Sequence, residues 1–250
     1  LRQAGVLDRV ALCVPEAEVD RYKRNGWPGV VGVPPTHPRI AKKREWILTV
    51  LAFQRQAKKV LILDDDLRFS YRDHLGEIHL NKATPDSMKM MFEQLDTWMN
   101  SGFVHVGISH RSGNNTEPED YKDATRMTAA YQYDTYMLSK LIEAGKVTLA
   151  RLEVMEDIDL TLQLLRLGYP NRVTFQYTWD QVSSKSGGCS QWRTPEIQAE
   201  CAHKLAELHP GFVKVTEKTT NTKDAWKGMK TRTDVVVSWA KAYKSALQEK

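Results

Sequence analysis

The run Val60-Leu61-Ile62-Leu63-Asp64-Asp65-Asp66 constrains this chain more than any other stretch. Four apolar, partly β-branched residues predict a buried strand, and three carboxylates follow where it emerges. Like charges packed at a strand end repel one another unless a cation relieves them. In open α/β sheets, ligands bind at this carboxyl edge. Two readings fit the segment: a divalent metal held against a phosphorylated substrate, or a solvated acidic turn.

A second acidic cluster bears on that choice. Glu153-Val154-Met155-Glu156-Asp157-Ile158-Asp159-Leu160 opens a segment with helical spacing. Ile158, Leu162 and Leu165, with Leu160, Leu164 and Leu167, recur every three or four residues, and Gly168 suits the helix end. Acidic residues in a first turn are favoured by the helix dipole alone. The functional reading sets Asp157 at the helix start, facing a cleft, as a carboxylate general base, with Glu156 as runner-up. One acidic site for a metal and another for proton abstraction describe a group-transfer enzyme.

Composition narrows the class. With 250 residues, 41% hydrophobic and 27% charged, the chain suits one large domain or a domain with a small appendage. No apolar stretch approaches a membrane span, and no signal-peptide pattern opens the chain, so a cytoplasmic setting without membrane attachment is expected. Cys13, Cys189 and Cys201 lack metal-type spacing, which fits a reducing compartment. The net charge of +5 permits a polyanionic partner, although Lys-rich faces are usually just solvated.

Strand and helix signals alternate through the first half. Strands are predicted over 9–14, 29–33 and 60–63, with helices through Arg24 and from about Pro38 to Gln56. That alternation predicts βαβ units and a mainly parallel sheet flanked by helices. Residues 68–83 read as a loop or hairpin and 85–100 as a helix. Residues 103–108 read as a strand and 109–123 as a surface loop near the active edge. A strand at 127–132, a helix at 135–145, a strand at 172–178 and a helix at 195–208 follow. Between the last two, Ser183 to Thr194 is a Ser/Gly run with Lys185 and Arg193. It reads either as a phosphate-wrapping loop or as a plain flexible one. A strand over 211–216 then leads to an expected linker over 217–234. Val235, Val236, Trp239, Tyr243 and Leu247 predict a terminal helix docked on the body.

The order of these parts resembles the GT-A class of nucleotide-sugar glycosyltransferases, particularly the family-2-like inverting enzymes. Glu156-Asp157-Ile158-Asp159-Leu160 followed by Leu164-Leu165-Arg166-Leu167-Gly168-Tyr169-Pro170 is especially close. More narrowly, the chain is similar to the bacteriophage glycosyltransferases associated with TET/JBP-type dioxygenases. Val10-Ala11-Leu12-Cys13-Val14-Pro15, Val31-Gly32-Val33-Pro34, Arg44-Glu45-Trp46-Ile47 and Leu63-Asp64-Asp65-Asp66-Leu67-Arg68-Phe69 carry that likeness.

The resemblance implies an α/β, Rossmann-like GT-A domain over residues 1–216, with 217–250 as linker and docked helix. A GT-A sheet has a strand before the helix that Leu1 to Gly5 already reads as, so either that strand precedes Leu1 or the topology is rearranged. The implied reaction is metal-dependent, inverting transfer from a nucleotide-sugar, UDP-sugar first, to a hydroxymethylated pyrimidine such as 5-hydroxymethylcytosine in phage DNA. Such an enzyme would work in the host cytoplasm. Asp66 and Asp64 would hold Mn²⁺ or Mg²⁺, with His209 (or His203) as a candidate third ligand beside its reading as an ordinary packing or surface histidine. Asp64, Asp65, Arg44, Lys185, Gly187, Gly188 and Arg193 would bind the donor. Trp192 and Gln191 would meet the acceptor, although Trp192 equally suits a core pocket. Asp157 would be the base, with Glu156 beside it. A glycan or protein acceptor, or a GT-A binding module without turnover, are the alternatives.

Overall fold

The computed structural model describes residues 1–74, 77–113, 117–181, 192–219 and 231–248. Leu1 to Gly5 forms turns rather than the expected helix, and Gly5 sits at φ +68°. Strand β1 (Leu12–Pro15) is followed by helix α1 (Val19–Arg24) and strand β2 (Val30–Val33). The two strands pair in parallel, Leu12 opposite Val30. A Cβ at Gly29 would run into the Val10 carbonyl oxygen, so the close approach that starts this pair requires glycine.

The next helix is continuous but uneven: α2 (Ile40–Trp46), a π-helical stretch over Ile47–Leu51, then α3 (Ala52–Gln54). Strand β3 (Lys59–Leu63) ends at the triple-aspartate turn, which leads directly into β4 (Leu67–Tyr71). The stretch read as a loop or hairpin is a hairpin, closed by β5 (Asn81–Lys82) against β4. Helix α4 (Pro85–Asn100) starts where Thr84 and Ser87 cap each other's backbone N–H and Pro85 occupies the first turn.

After β6 (His105–His110), the expected loop contains β7 (Tyr121–Asp123). Strand β8 (Ala130–Asp134) ends at Asp134, whose carboxylate accepts the Met137 N–H and starts α5 (Thr135–Glu143). Helix α6 (Glu156–Arg166), strand β9 (Asn171–Gln181) and helix α7 (Pro195–Leu208) follow. The expected linker is corrected in part: β10 (Val213–Thr219) pairs with β11 (Thr231–Val237), and α8 (Trp239–Gln248) comes after them. Val235 and Val236 therefore belong to a strand, not to the terminal helix.

The sheet is the main departure from expectation. Among the described residues a seven-stranded sheet runs β3-β8-β6-β9-β4-β5, with β7 also on β9. Only the β6–β9 pairing within it is parallel; β3–β8, β6–β8, β4–β9, β4–β5 and β7–β9 are antiparallel. The expected mainly parallel sheet is therefore corrected to a mixed, mostly antiparallel one flanked by helices. The connection from β6 to β8 explains part of this: among its described residues no α-helix crosses over, and the chain returns reversed. The pair β1–β2 forms a sheet of its own, and β3 has one edge without a partner strand among the described residues. Accordingly Val60, Leu61 and Leu63 are half-buried, not fully covered.

Helix α6 lies at the centre. Residues Ile158 through Leu165 are all buried. Ile158, Leu162 and Leu165 join one apolar cluster with Leu205 of α7 and Ala242 of α8. Leu160 and Leu164 join another, with Tyr131, Tyr133 and Val173. A helix apolar on two sides must be buried on two sides, and here it fastens the terminal elements to the sheet. Leu164→Ala should lower stability by about 2–5 kcal/mol, read as a shift in the urea midpoint with an unchanged slope.

Candidate active site

The turn Asp64-Asp65-Asp66 and the start of α6 come together in one cleft of about 2790 Å³. Asp64, Asp65, Asp66, Arg44, Glu156, Asp157, Trp192 and Arg193 all line it, as do strands β1 and β3. The join is made by Arg44. It lies buried on α2, with one guanidinium nitrogen 2.6 Å from Asp64 Oδ1 and the other donating to Glu156. The same nitrogen that meets Glu156 is 3.9 Å from Asp157 Oδ2. The guanidinium carbon also stands 5.3 Å from the ring centroid of buried Tyr131.

One cation thus serves three carboxylates, and burial sets the electrostatics. Burial opposes the charge on Arg44, yet Tyr131, Glu156, Asp64 and Asp157 more than offset that and hold it cationic well beyond its ordinary range. Glu156 is pushed up to about 7: burial raises it and so does the Asp157 charge, against the pull of Arg44. Asp64 is also raised, by burial first and by Asp157 and Asp66 in lesser part, again against Arg44.

Local backbone presents the pair on α6. Met155, just before Glu156, adopts φ +65° and ψ +17°, a left-handed conformation uncommon for a residue with a side chain. Asp157 Oδ1 accepts the Ile158 N–H at 2.8 Å, and its side chain is 14% exposed. Asp66 is held differently: the Gln181 amide nitrogen lies 2.8 Å from both its oxygens. Asp65 is exposed. Among the described residues no group of three or more His, Cys, Asp or Glu is arranged to hold a metal ion.

The remaining sequence candidates divide. Arg39 pairs with Glu153 and stands 5.0 Å over the Trp192 ring, so Trp192 has a cationic neighbour at the cleft wall. Arg193 donates to Gln198 Oε1 at 3.0 and 2.6 Å, near the start of α7. His209 does not join the aspartates. It is buried away from the cleft, its Nε2 2.8 Å from Asp159 Oδ1 and its Nδ1 3.2 Å from Arg166. Both ring nitrogens being engaged, it is placed to pack helix ends together rather than to share a metal with Asp66. His203 is exposed on α7 and does not line the cleft. Lys185, Gly187, Gly188 and Gln191 lie outside the described residues.

Sequence reasoning undervalued Arg44 and missed Gln181 and Tyr131. A signal for Arg44 was present: it falls four residues after Ile40 and four before Leu48, within an apolar stripe where a surface cation does not belong. Gln181 carried no signal beyond β9 running past its expected end.

A family model for TET-associated glycosyltransferases matches residues 2–188. The chain belongs to the TET-associated glycosyltransferase family. No curated protein and no solved structure matches it. The family match spans the whole of the Arg44 cluster, from α2 through β3 to α6. No helix among the described residues of this family member is long and apolar enough to cross a membrane.

The Glu156 environment has a measurable consequence. Its carboxyl binds a proton more tightly folded than unfolded, so it favours the native state below pH about 4.5 and loses that contribution as pH rises to about 7. Glu156→Gln should flatten the fall of stability with pH across that window, measured by urea unfolding at several pH values. Arg44→Met should leave Asp64 and Glu156 uncompensated and cost about 3–5 kcal/mol near pH 8 by the same measurement, less in acid.

Proposed function

We propose that this family member is a metal-dependent, inverting glycosyltransferase of the GT-A type, moving a sugar from a nucleotide-sugar, UDP-sugar first, to 5-hydroxymethylcytosine in phage DNA. One observation carries the reading: Arg44 ties a strand-end carboxylate cluster to a helix-start carboxylate pair within a single cleft. A sugar donor and an attacking hydroxyl need those two acidic sites side by side. Residues 1–216 would make up the transferase domain, with α8 of the 217–250 segment docked upon it.

Oxygen donors at a strand end suit Mg²⁺ or Mn²⁺, which take one or two carboxylates together with substrate phosphates. Asp66 fits this best, because its partner is a neutral amide that a cation can displace, whereas Asp64 already faces a guanidinium. Exposed Asp65 stands ready beside it. A metal bound here would stabilise the charge of the departing nucleoside diphosphate. Asp64 keeps a second oxygen, not engaged by Arg44, for the nucleotide ribose. Arg44 acts by holding Asp64 and Glu156 in place, not by touching the base or pyrophosphate directly.

Asp157 serves as the base. Glu156 gives its carboxylate to Arg44, while Asp157 lines the cleft with one oxygen 3.9 Å from the guanidinium. As the acceptor oxygen attacks the anomeric carbon, its proton passes to Asp157 and the bond from that carbon to the diphosphate oxygen breaks. A single in-line displacement inverts the anomeric configuration. Trp192 and Arg193 on the cleft wall would flank the incoming sugar or base.

The test is incubation with several UDP-sugars, Mn²⁺ and hydroxymethylcytosine DNA, followed by digestion to nucleosides and mass spectrometry. A hexose mass on the modified nucleoside is expected; its absence with every donor would end the DNA assignment. Asp157→Asn should lower turnover by about 10²–10⁴ while calorimetric donor affinity survives. Near-wild-type turnover would move the base elsewhere.

A further inference from the structure

The cleft is unevenly charged. Its floor carries part-buried Asp64, Asp66, Glu156 and Asp157, whereas its rim carries exposed Asp65 and the exposed arginines Arg68, Arg111 and Arg126. None of these three arginines has an ion-pair or hydrogen-bond partner among the described residues, in contrast to Arg9, Arg39, Arg44, Arg151 and Arg172, which all meet carboxylates. An arginine left without a counter-charge beside a cleft is a site for an external anion.

Strand register draws the three toward one end of the sheet. Arg68 on β4 stands opposite Asp180 of β9, and His110 on β6 stands opposite Trp179 of the same strand. Arg111 follows His110 directly, and His110 Nε2 is 4.0 Å from Asp180. Arg126 is near enough for its charge, after burial, to help depress His110's proton affinity. The next strand over adds exposed Lys82, opposite Ser70, to the same cleft.

These cations come from three separate segments: β4, the turn after β6 and the loop before β8. Cations supplied by separate segments of one cleft suit phosphates repeated along a backbone. The acidic floor is already suited to the donor and its cation. The rim is where a long acceptor must rest if one of its hydroxyls is to reach Asp157. We infer that Arg68, Arg111 and Arg126 hold backbone phosphates of a nucleic-acid acceptor, positioning it over the carboxylate floor. This rests on the DNA-acceptor reading above and assigns that acceptor its contact residues.

The experiment measures fluorescence anisotropy of a labelled DNA duplex against salt for the wild type and for R68Q/R111Q/R126Q. R2Q/R21Q/R24Q is the charge-matched control, since those arginines are exposed, without partners among the described residues, and outside the cleft lining. Each phosphate contact contributes roughly 0.9 to the log–log slope, so losing three should flatten it by about 2.7. The control should change it little. Donor affinity by calorimetry with a UDP-sugar and Mn²⁺ should stay unchanged in both variants. A rim variant with the wild-type slope, or one that matches the control, overturns the inference. Loss of donor affinity instead of DNA affinity overturns it too, and gives the rim to the diphosphate. Wild-type protein that ignores DNA at every salt concentration removes the acceptor reading itself, a result distinct from a wild type that binds DNA equally well without its rim.

Discussion

A guanidinium taken out of water on an interior helix face is unfavourable unless carboxylates surround it, and carboxylates gathered beside it are unfavourable without the guanidinium. In this chain the two requirements meet at Arg44. Asp64 lies 20 residues further on and Glu156 lies 112 further on, yet both close on the same side chain. Net stabilisation from such a buried cluster is small. Its contribution is to specificity: one guanidinium on α2 meets carboxylates from the end of β3 and the start of α6, and so ties the three segments together.

The same cluster places ionisation under the control of packing. Burial lifts Glu156 into the neutral pH range, and the surplus of carboxylates over guanidinium groups leaves the site short of positive charge. Such a site attracts a cation and repels an unescorted anion. Under the proposed function, a phosphorylated donor and a metal ion bound here would each relieve the other's cost of approach.

Much of this could be read in the chain. The strand ending in three aspartates, the amphipathic helix after Met155 and the Pro-initiated helices at Pro85 and Pro195 formed as their spacing and caps required. The sheet did not. Alternating strand and helix signals report local preference, whereas the direction of pairing depends on where long connections return, and the stretch between β6 and β8 has no α-helix among its described residues. The β10–β11 pair was hidden for a related reason: Thr/Lys-rich residues read as linker until a partner strand is present to pair with them. Within the site, both acidic motifs were legible because each is a local pattern. Their union was not, because Arg44's role is set by what faces it across the fold. His209 follows the plainer of its two sequence readings: a residue type suggestive of metal binding, used instead to satisfy a buried aspartate.

Helix α6 begins with the acidic pair and has side chains in two separate apolar clusters. It cannot fray or shift without opening both. Its interior amides should therefore exchange with solvent only through concerted opening of the whole body, among the slowest in the protein. Strands β1 and β2 form a small sheet of their own, hydrogen-bonded to no other strand among the described residues, and β1 lines the same cleft as β3. That sheet is held instead by an apolar cluster, in which Val31, Val33 and Cys13 pack with Trp46 and Leu51, so one side of the cleft is anchored through side chains alone while the other rests on a helix buried on two faces.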